Sequence, residues 1–499
     1  MIHFQKFRSI AEAAAGDKRR RWLLVGAVLL LTHALSALYY GARYANHQVT
    51  VGSAALSLEM TPEDWAAPLG DMDSAWYLRT AVNYAAGRGV TVRLTESSTT
   101  QDLPFFYWAP GTPVTFGTWM KLFGRDSMWP IFWFAVAAQL LFGVISLATA
   151  SLWTRNMLAL AAVAFCTGFC PPLQQWFYGT SMVSSELVAL VPLSAIMFVL
   201  AKGFIAFRAA EGSFWTVALN WRVAVWFAAA GLLIGVNSLV RDSCEVLATF
   251  VALFIVFRSL VFDRRRLALA ACTAAILLLC IGFVRYPVKR WNRHRIGIPA
   301  VSTGVRYGVW CLSMWSKHDR YDWYVIAGIG CGEYLDPEAA KRVEAYFQDK
   351  KPHAELYSLG QFAQAVWKRP LDAIAFKAER LPVLWLGASD LWPKMCWTLV
   401  SIWCAAFYAS LAAFCGIQWW RRRRIPEVMY LCLTMMICAS AIVHFELRYT
   451  FPVWTTLVMA PGLVVAALAR NGWSSPPANR SIDEPANAAL APTPPALAA

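Results

Sequence analysis

The sequence predicts an all-α polytopic membrane protein with about ten transmembrane helices. Apolar residues make up 58% of the 499 positions, and several apolar runs reach the roughly 20 residues that a bilayer core requires. The net charge of +15 fits the same class, because the basic residues lie mostly in short clusters beside those runs. This distribution excludes nucleic acid as the partner.

The N-terminal segment, residues 1–21, ends in four consecutive basic residues and precedes the first predicted span at 22–40. A basic flank places residues 1–21 in the cytoplasm and the first hydrophilic loop, 41–128, outside. The run is long and no clean small-residue cleavage site follows it. We therefore expect a retained span rather than a signal peptide.

Nine further spans are predicted from apolar runs. When the loops between spans are assigned alternately to the two sides of the membrane, the basic loops fall on the cytoplasmic side. They lie at about 129–150, 157–173, 186–203, 222–240, 244–261, 267–284, 395–418, 426–443 and 448–468. The predicted organisation is a transmembrane core, 22–284, a second outer loop, 285–392, C-terminal spans, 393–470, and a disordered cytoplasmic tail, 471–499. We expect amphipathic helices in both outer loops and a small mixed domain in the second.

The twelve cysteines lie mostly inside apolar spans and have no metal-ligand spacing with histidine. Membrane-core cysteines usually behave as small hydrophobic residues. Cys311 and Cys331 lie in the second outer loop, and the sequence leaves open whether they form a disulfide.

A polar stretch in the first loop, residues 70–89, carries two acids ahead of an amphipathic helix. The acids are Asp71 and Asp73, and the residues that share one helical face are Ala75, Leu78, Val82 and Ala85. Two glycines then end the helical pattern. An aspartate before a helix is often an N-cap, so a capping and a catalytic role are both open for Asp73.

An aromatic stretch, residues 105–124, follows in the same loop. Proline and glycine interrupt it at 110–113, and a second amphipathic helix is predicted after them. Trp108, Phe116 and Trp119 suit a helix that lies at the level of the lipid headgroups.

Isolated charged residues collect on the outer side of this topology. They are Glu186 at the start of a span, Arg241 and Asp242 between two spans, and Glu446 and Arg448 near the last predicted span. Ionisable residues at membrane depth are usually functional or paired, although any single one can equally be an interfacial anchor. Their collection at one face favours a site at the outer membrane surface over a path through the membrane.

A basic cluster opens the second outer loop and runs from Arg285 to Arg295. Arginine forks fit phosphate geometry, so the cluster indicates a phosphate or anionic-lipid site. Long loops are less bound by the positive-inside rule, so the cluster can also lack a ligand.

Six stretches, in order along the chain, carry a family resemblance. They are GDMDSAWYLRTAVNYAAGRG, APGTPVTFGTWMKLFG, Ser185-Glu186, GLLIGVNSLVRDS, RWNRHRIGIPAVSTGVRYGVW and ELRYTFP. The set resembles the GT-C superfamily of integral-membrane glycosyltransferases, which use polyprenyl-phosphate sugars and include the protein O-mannosyltransferases and the lipid A aminoarabinose transferases. The aminoarabinose transferases follow their first-loop acid with Glu, where Ser74 stands here, and they carry a Lys that Tyr107-Trp108-Ala109-Pro110 lacks. The resemblance therefore supports the superfamily and no particular sugar.

The resemblance implies sugar transfer from a polyprenyl-phosphate donor to a hydroxyl of an envelope glycolipid, polysaccharide or protein. It implies a bacterial inner membrane, a periplasmic site, and Asp73 as the first candidate for general base, with Asp71 second. The substrate-binding candidates are Glu186, Arg241, Asp242, Arg293, Arg295, Glu446 and Arg448. One direct displacement inverts the anomeric centre. We expect no cofactor, because two acids make an incomplete metal site, although Asp-x-Asp can hold a divalent metal.

Two other functions stay open at this point. A transporter or flippase for an envelope lipid needs broken or polar helices near mid-membrane, for which Pro192 and Asn237 are the only hints. An assembly protein for lipid-linked glycans would share the outer loops. The sugar, the acceptor and the oligomeric state do not follow from the sequence.

Overall fold

The computed structural model describes residues from 18 to 469 with gaps. The described ranges are 18–51, 72–93, 102–104, 109–124, 129–178, 183–210, 220–241, 244–296, 301, 394–421, 425–442 and 450–469, with single positions between 367 and 386. Most of the predicted second outer loop, with Cys311 and Cys331, and the whole predicted tail lie outside them.

The described chain is built of helices apart from one short strand pair and one 3-10 turn. The helices are α1 Lys18–Val51, α2 Met72–Ala85, α3 Gly111–Phe123, α4 Trp129–Ala150, α5 Met157–Phe169, α6 Pro171–Tyr178, α7 Ser185–Ala209, α8 Trp221–Val240, α9 Cys244–Phe262, α10 Leu267–Ile296, α11 Lys394–Trp420, α12 Glu427–Ile442, α13 Phe451–Leu457 and α14 Ala460–Leu468. The 3-10 turn is Arg264–Arg266. Strands β1, Thr91–Arg93, and β2, Asp102–Pro104, pair antiparallel.

The structure confirms the predicted fold class, an all-α polytopic membrane protein. Eight of the described helical segments are long and apolar enough to cross a membrane. Two shorter apolar helices, Met157–Phe169 and Glu427–Ile437, coincide with the other two predicted spans.

The predicted helix of the first loop is present as α2. The Gly87 amide donates to the Tyr84 carbonyl at 3.0 Å, and the Arg88 amide donates to the Asn83 carbonyl at 2.9 Å. Gly87 has φ +80, so this is a Schellman ending, in which a left-handed glycine satisfies the last helical carbonyls. The glycine that the sequence suggested as a stop signal therefore ends the helix.

The second predicted helix of the loop, α3, is present, but its placement differs from the prediction. Phe116 is fully buried and packs edge-on against Phe134 of α4, with ring centroids 5.4 Å apart. α3 also packs on α2, where a Cβ on Gly117 would lie 2.6 Å from the Ala81 carbonyl oxygen. The prediction of an interfacial position is wrong for Phe116, because its face of α3 meets protein.

Helix α10 continues beyond the apolar run that predicted it. The predicted span ended at about 284, whereas the helix runs on to Ile296 and includes Arg285 and Arg293. Arginine and lysine are good helix formers, so a helix can outlast its hydrophobic stretch. The whole basic cluster, from Arg285 to Arg295, is therefore helical.

The first membrane helix is held to its neighbours by buried polar groups. Gln174 donates to Ser36 Oγ at 3.1 Å, and Tyr178 donates to Gln139 Oε1 at 2.8 Å. The Tyr40 ring stacks on Tyr178 with centroids 4.9 Å apart. Interhelical hydrogen bonds of this kind hold helices together in lipid.

Side-chain contacts define two ends of the bundle. At one, called the Glu186 end, Thr112 of α3 meets the last residue of α8, and Glu186 meets Arg241. At the other, called the Glu427 end, Glu427 of α12 meets arginines of α7 and α9. Since α7 and α8 run between these ends, the two clusters lie on opposite sides of the bundle.

Candidate functional site

Two of the predicted site residues, Glu186 and Arg241, come together where α7 begins and α8 ends. Glu186 is the second residue of α7, whose N-cap Ser184 accepts a hydrogen bond from the Leu187 amide at 3.2 Å. Arg241 is the C-cap of α8, and its amide donates to the Asn237 carbonyl at 2.9 Å. The two helix termini therefore fix the backbones from which both side chains extend.

The side chains of Glu186 and Arg241 form a nearly buried ion pair. Arg241 Nη1 contacts Glu186 Oε1 and donates to Ser185 Oγ at 2.8 Å. Ser185 Oγ in turn donates to Glu186 Oε2 at 3.2 Å. The exposed fraction is 14% for the Arg241 side chain and 5% for that of Glu186. Loss of either charge would remove this ion pair and leave the opposite charge in a region of low dielectric constant.

The segment that begins at residue 450 supplies a third partner of the arginine. The Phe451 ring lies against the Arg241 guanidinium, whose central carbon is 4.9 Å from the ring centroid. Phe451 is buried and is the first residue of α13. The face of an aromatic ring attracts a cation. The sequence did not indicate Phe451 as a site residue. It lies in the ELRYTFP stretch, where only the charged residues Glu446 and Arg448 are candidates.

The helix that carries Asp73 is attached to the same end of the bundle through α3. Asp73 is the second residue of α2. α2 packs on α3, and Thr112 Oγ1 of α3 donates to the Val240 carbonyl at 3.1 Å. A Cβ on Gly111 would lie 2.5 Å from the Leu239 carbonyl oxygen, so only glycine permits this approach. The first turn of α3 thus rests on the end of α8.

A second acid–arginine pair lies on the helices that follow Arg241. Arg285 of α10 is buried and contacts Glu245 Oε1 in the first turn of α9 through its Nη1. The Cys244 amide at the start of α9 donates to the Arg241 carbonyl at 3.0 Å, which ties this pair to the first one. Arg285 Nε has no hydrogen-bond partner among the described residues. Arg285 belongs to the basic cluster found in the sequence, but nothing in the sequence distinguished it from the other basic residues there.

The other candidates are not brought into this cluster by the described residues. Arg293 is exposed on α10, two turns beyond Arg285, and Arg295 belongs to the same helix without a described side chain. The side chain of Asp73 is likewise not described. The candidates that lie wholly outside the described residues are Asp71, Asp242, Glu446 and Arg448.

The described side chains form no metal site. In the ranges that the structure describes, no group of three or more His, Cys, Asp or Glu side chains is placed to hold a metal ion. The Asp-x-Asp pair of the first loop is not among these side chains, and metal binding there stays a prediction.

Fold and site together define a multi-pass membrane protein with a buried acid–arginine pair at one end of its helix bundle. No protein-family model matches the chain, and no curated protein matches it.

Among solved structures, the chain is similar to the archaeal oligosaccharyltransferase AglB from Archaeoglobus fulgidus in complex with an inhibitory peptide and a dolichol-phosphate. That similarity has a TM-score of 0.49 at 12% identity and covers 89% of this chain and 50% of that chain. The enzyme tethered to an acceptor peptide containing the NVT sequon gives 0.47 at 15% identity, over 88% and 49%. The chain thus spans about half the length of these structures.

Proposed function

We propose that this chain is a GT-C-type integral-membrane glycosyltransferase that moves a sugar from a polyprenyl-phosphate donor to a hydroxyl acceptor. The observation that carries the proposal is the buried Glu186–Arg241 pair, stacked on Phe451, at one end of a polytopic bundle. A guanidinium fixed in this way presents a planar fork that suits the phosphate of a lipid-linked donor. The helix with Asp73, the proposed base, is attached to the same end through α3.

The reaction needs a base and a stabilised leaving group. The acceptor oxygen attacks the anomeric carbon and loses its proton to Asp73, with Asp71 orienting the acceptor or acting as an auxiliary acid. The bond between the anomeric carbon and the phosphate oxygen breaks, and the polyprenyl phosphate leaves with the electron pair. Arg241 stabilises the developing negative charge on that phosphate. This single displacement inverts the anomeric centre.

The remaining candidates have supporting roles in this proposal. Glu186 orients Arg241 rather than binding a sugar hydroxyl, because its two carboxylate oxygens already contact Arg241 and Ser185. The other proposed contacts to donor and sugar are Asp242, Arg293, Arg295, Glu446 and Arg448. The second outer loop, 285–392, shapes the acceptor side.

The proposed orientation follows from the charges at the two ends. The Glu427 end carries the arginines of the connections between spans, which the positive-inside rule assigns to the cytoplasm. The Glu186 end then faces the periplasm of a bacterial inner membrane, where lipid-linked sugars and envelope glycans meet.

Mass spectrometry of polyprenyl-phosphate sugars and envelope glycans tests the proposed reaction. A strain that lacks the protein is compared with one that overproduces it. We expect one lipid-linked sugar to accumulate in the deletion strain while one glycan loses that sugar, which identifies donor and acceptor together. Unchanged sugars and glycans in both strains would contradict glycosyl transfer and favour transport of an envelope lipid.

Two matched substitutions in the first loop, one at Asp73 and one at Asp102, test the role of Asp73. We expect Asp73→Asn to abolish transfer in complemented cells while the protein folds and accumulates normally. Asp102→Asn, which makes the same chemical change on β2, serves as the control and should keep activity. Equal transfer by both variants would remove Asp73 as the base.

A further inference from the structure

The Glu427 end carries a charge cluster that the proposed reaction does not use. Glu427 is buried, and its Oε1 is shared between Arg208 Nε at 3.4 Å and Arg258 Nη2 at 3.2 Å. Arg266 Nη1 donates to the Phe207 carbonyl at 3.1 Å. Since these contacts join α7, α9, α12 and the 3-10 turn, arginines from three parts of the chain meet at one place.

The cluster keeps a positive charge after its internal pairing. Among the described residues it contains five arginines and two acids, a net charge of +3; the members are Arg208, Arg258, Arg264, Arg265, Arg266, Asp263 and Glu427. Arg264 and Arg265 are exposed. Among the described residues, Arg265 makes no ion pair, and Arg264 Nε donates only to the Leu260 carbonyl, at 3.4 Å. The exposed part of the cluster therefore offers two guanidinium groups to an anion.

An exposed apolar stripe on α9 leads directly to these arginines. Leu253, Phe257, Leu260 and Val261 have exposed fractions of 61%, 65%, 47% and 53%. Their spacing of four, three and one residues places them on one helical face. Arg264 follows in the 3-10 turn after α9, and its Nε donates to the carbonyl of Leu260 in this stripe at 3.4 Å. In a bilayer this stripe lies against acyl chains, and the arginines lie at the depth of the headgroups.

We infer that the Glu427 end binds an anionic diacyl phospholipid. The phosphate lies between the exposed guanidinium groups of Arg264 and Arg265, with Arg258 beside them, and the acyl chains follow the α9 stripe. The pairing of Arg208 and Arg258 with Glu427 holds α7, α9 and α12 together beneath the lipid. The complementarity of charge and the continuity of stripe and cluster both favour this occupant. The inference is independent of the proposed sugar transfer.

Native mass spectrometry of the full-length protein tests this inference. The protein is purified in detergent and mixed with phosphatidylglycerol or with zwitterionic phosphatidylcholine as the probe. We expect retained phosphatidylglycerol in preference to phosphatidylcholine. Each basic residue at an anionic lipid surface contributes roughly fivefold to binding, so Arg264→Gln with Arg265→Gln should weaken retention roughly 30-fold.

The control changes the same number of charges elsewhere in the chain. Lys350→Gln with Lys351→Gln alters two neighbouring basic residues of the second outer loop, far along the sequence from any predicted span, and should leave phosphatidylglycerol retention within about threefold of the unmodified protein. An equal loss in both double variants would show a general surface-charge effect and overturn the site, as would equal retention of the two lipids. If the double variant does not fold, Arg265→Gln alone tests the same site, since Arg265 makes no ion pair among the described residues. Retention of phosphatidylglycerol should then fall roughly fivefold.

Discussion

Removing one charge of the Glu186–Arg241 pair should destabilise the protein far more than removing both. The exposed fractions of 14% and 5% place the pair in the buried regime, where loss of one partner costs about 3–5 kcal/mol, instead of the 0–1 kcal/mol of a surface pair. We expect Glu186→Gln and Arg241→Met each to cost about 3–5 kcal/mol, because each removes one partner of a buried ion pair and keeps the charge of the other. The double variant replaces the pair by two neutral side chains and should cost about 1–2 kcal/mol, chiefly through the lost cation–π contact with Phe451.

The measurement is a double-mutant cycle on the unfolding free energy in detergent. Tryptophan fluorescence can follow unfolding by SDS, since the chain has 25 tryptophans. The coupling free energy should be about 4 kcal/mol or more, above the range for ordinary neighbouring residues. The Phe451→Leu variant, which keeps both charges, should cost about 1 kcal/mol and serves as a reference for the ring contact alone. A double variant as unstable as the sum of the single variants would refute the reasoning, since the two side chains would then contribute independently.

Three further outcomes are expected in the same unfolding assay. Gly111→Ala should cost about 1–3 kcal/mol, because its Cβ would meet the α8 backbone, whereas Gly26→Ala, with open space around it, should change stability little or raise it. Gly87→Ala should cost about 1–2 kcal/mol, because φ is +80 at that position, and equal stability of this variant would contradict the Schellman ending. A cycle on Gln139→Leu and Tyr178→Phe should give a coupling of about 0.6 kcal/mol and at most about 1.7 kcal/mol, and a value of zero would show that this hydrogen bond does not hold α4 to α6.

The membrane architecture was predictable because the lipid core imposes its own length and polarity on the sequence. A helix such as Trp129–Ala150 must be apolar along about 20 residues, and no longer-range information is needed to find it. Helix α2 was predictable for another local reason, since its apolar spacing and the stop at Gly87 lie within one short stretch.

The sequence could not predict whether an apolar face of a helix contacts lipid or another helix. The spacing around Phe116 shows an apolar face, but lipid and protein select the same residues, so only tertiary packing reveals its burial against α4. The pairing of Glu186 with Arg241 joins residues 55 positions apart. Charge rules placed both on one side of the membrane and could not distinguish two separate anchors from one ion pair.

The two-part helix α13–α14 has a consequence for how this bundle is assembled during synthesis. Its segment, Phe451–Leu468, is 72% buried inside the bundle, whereas the first membrane helix is 28% buried. A Cβ on Gly462 of α14 would clash with the Ala159 carbonyl of α5, so the two backbones touch. Translation delivers α13–α14 after every helix described here as its neighbour, namely α5, α7, α11 and α12. The packing of those earlier helices therefore cannot be completed until this segment is inserted, which also brings Phe451 to Arg241.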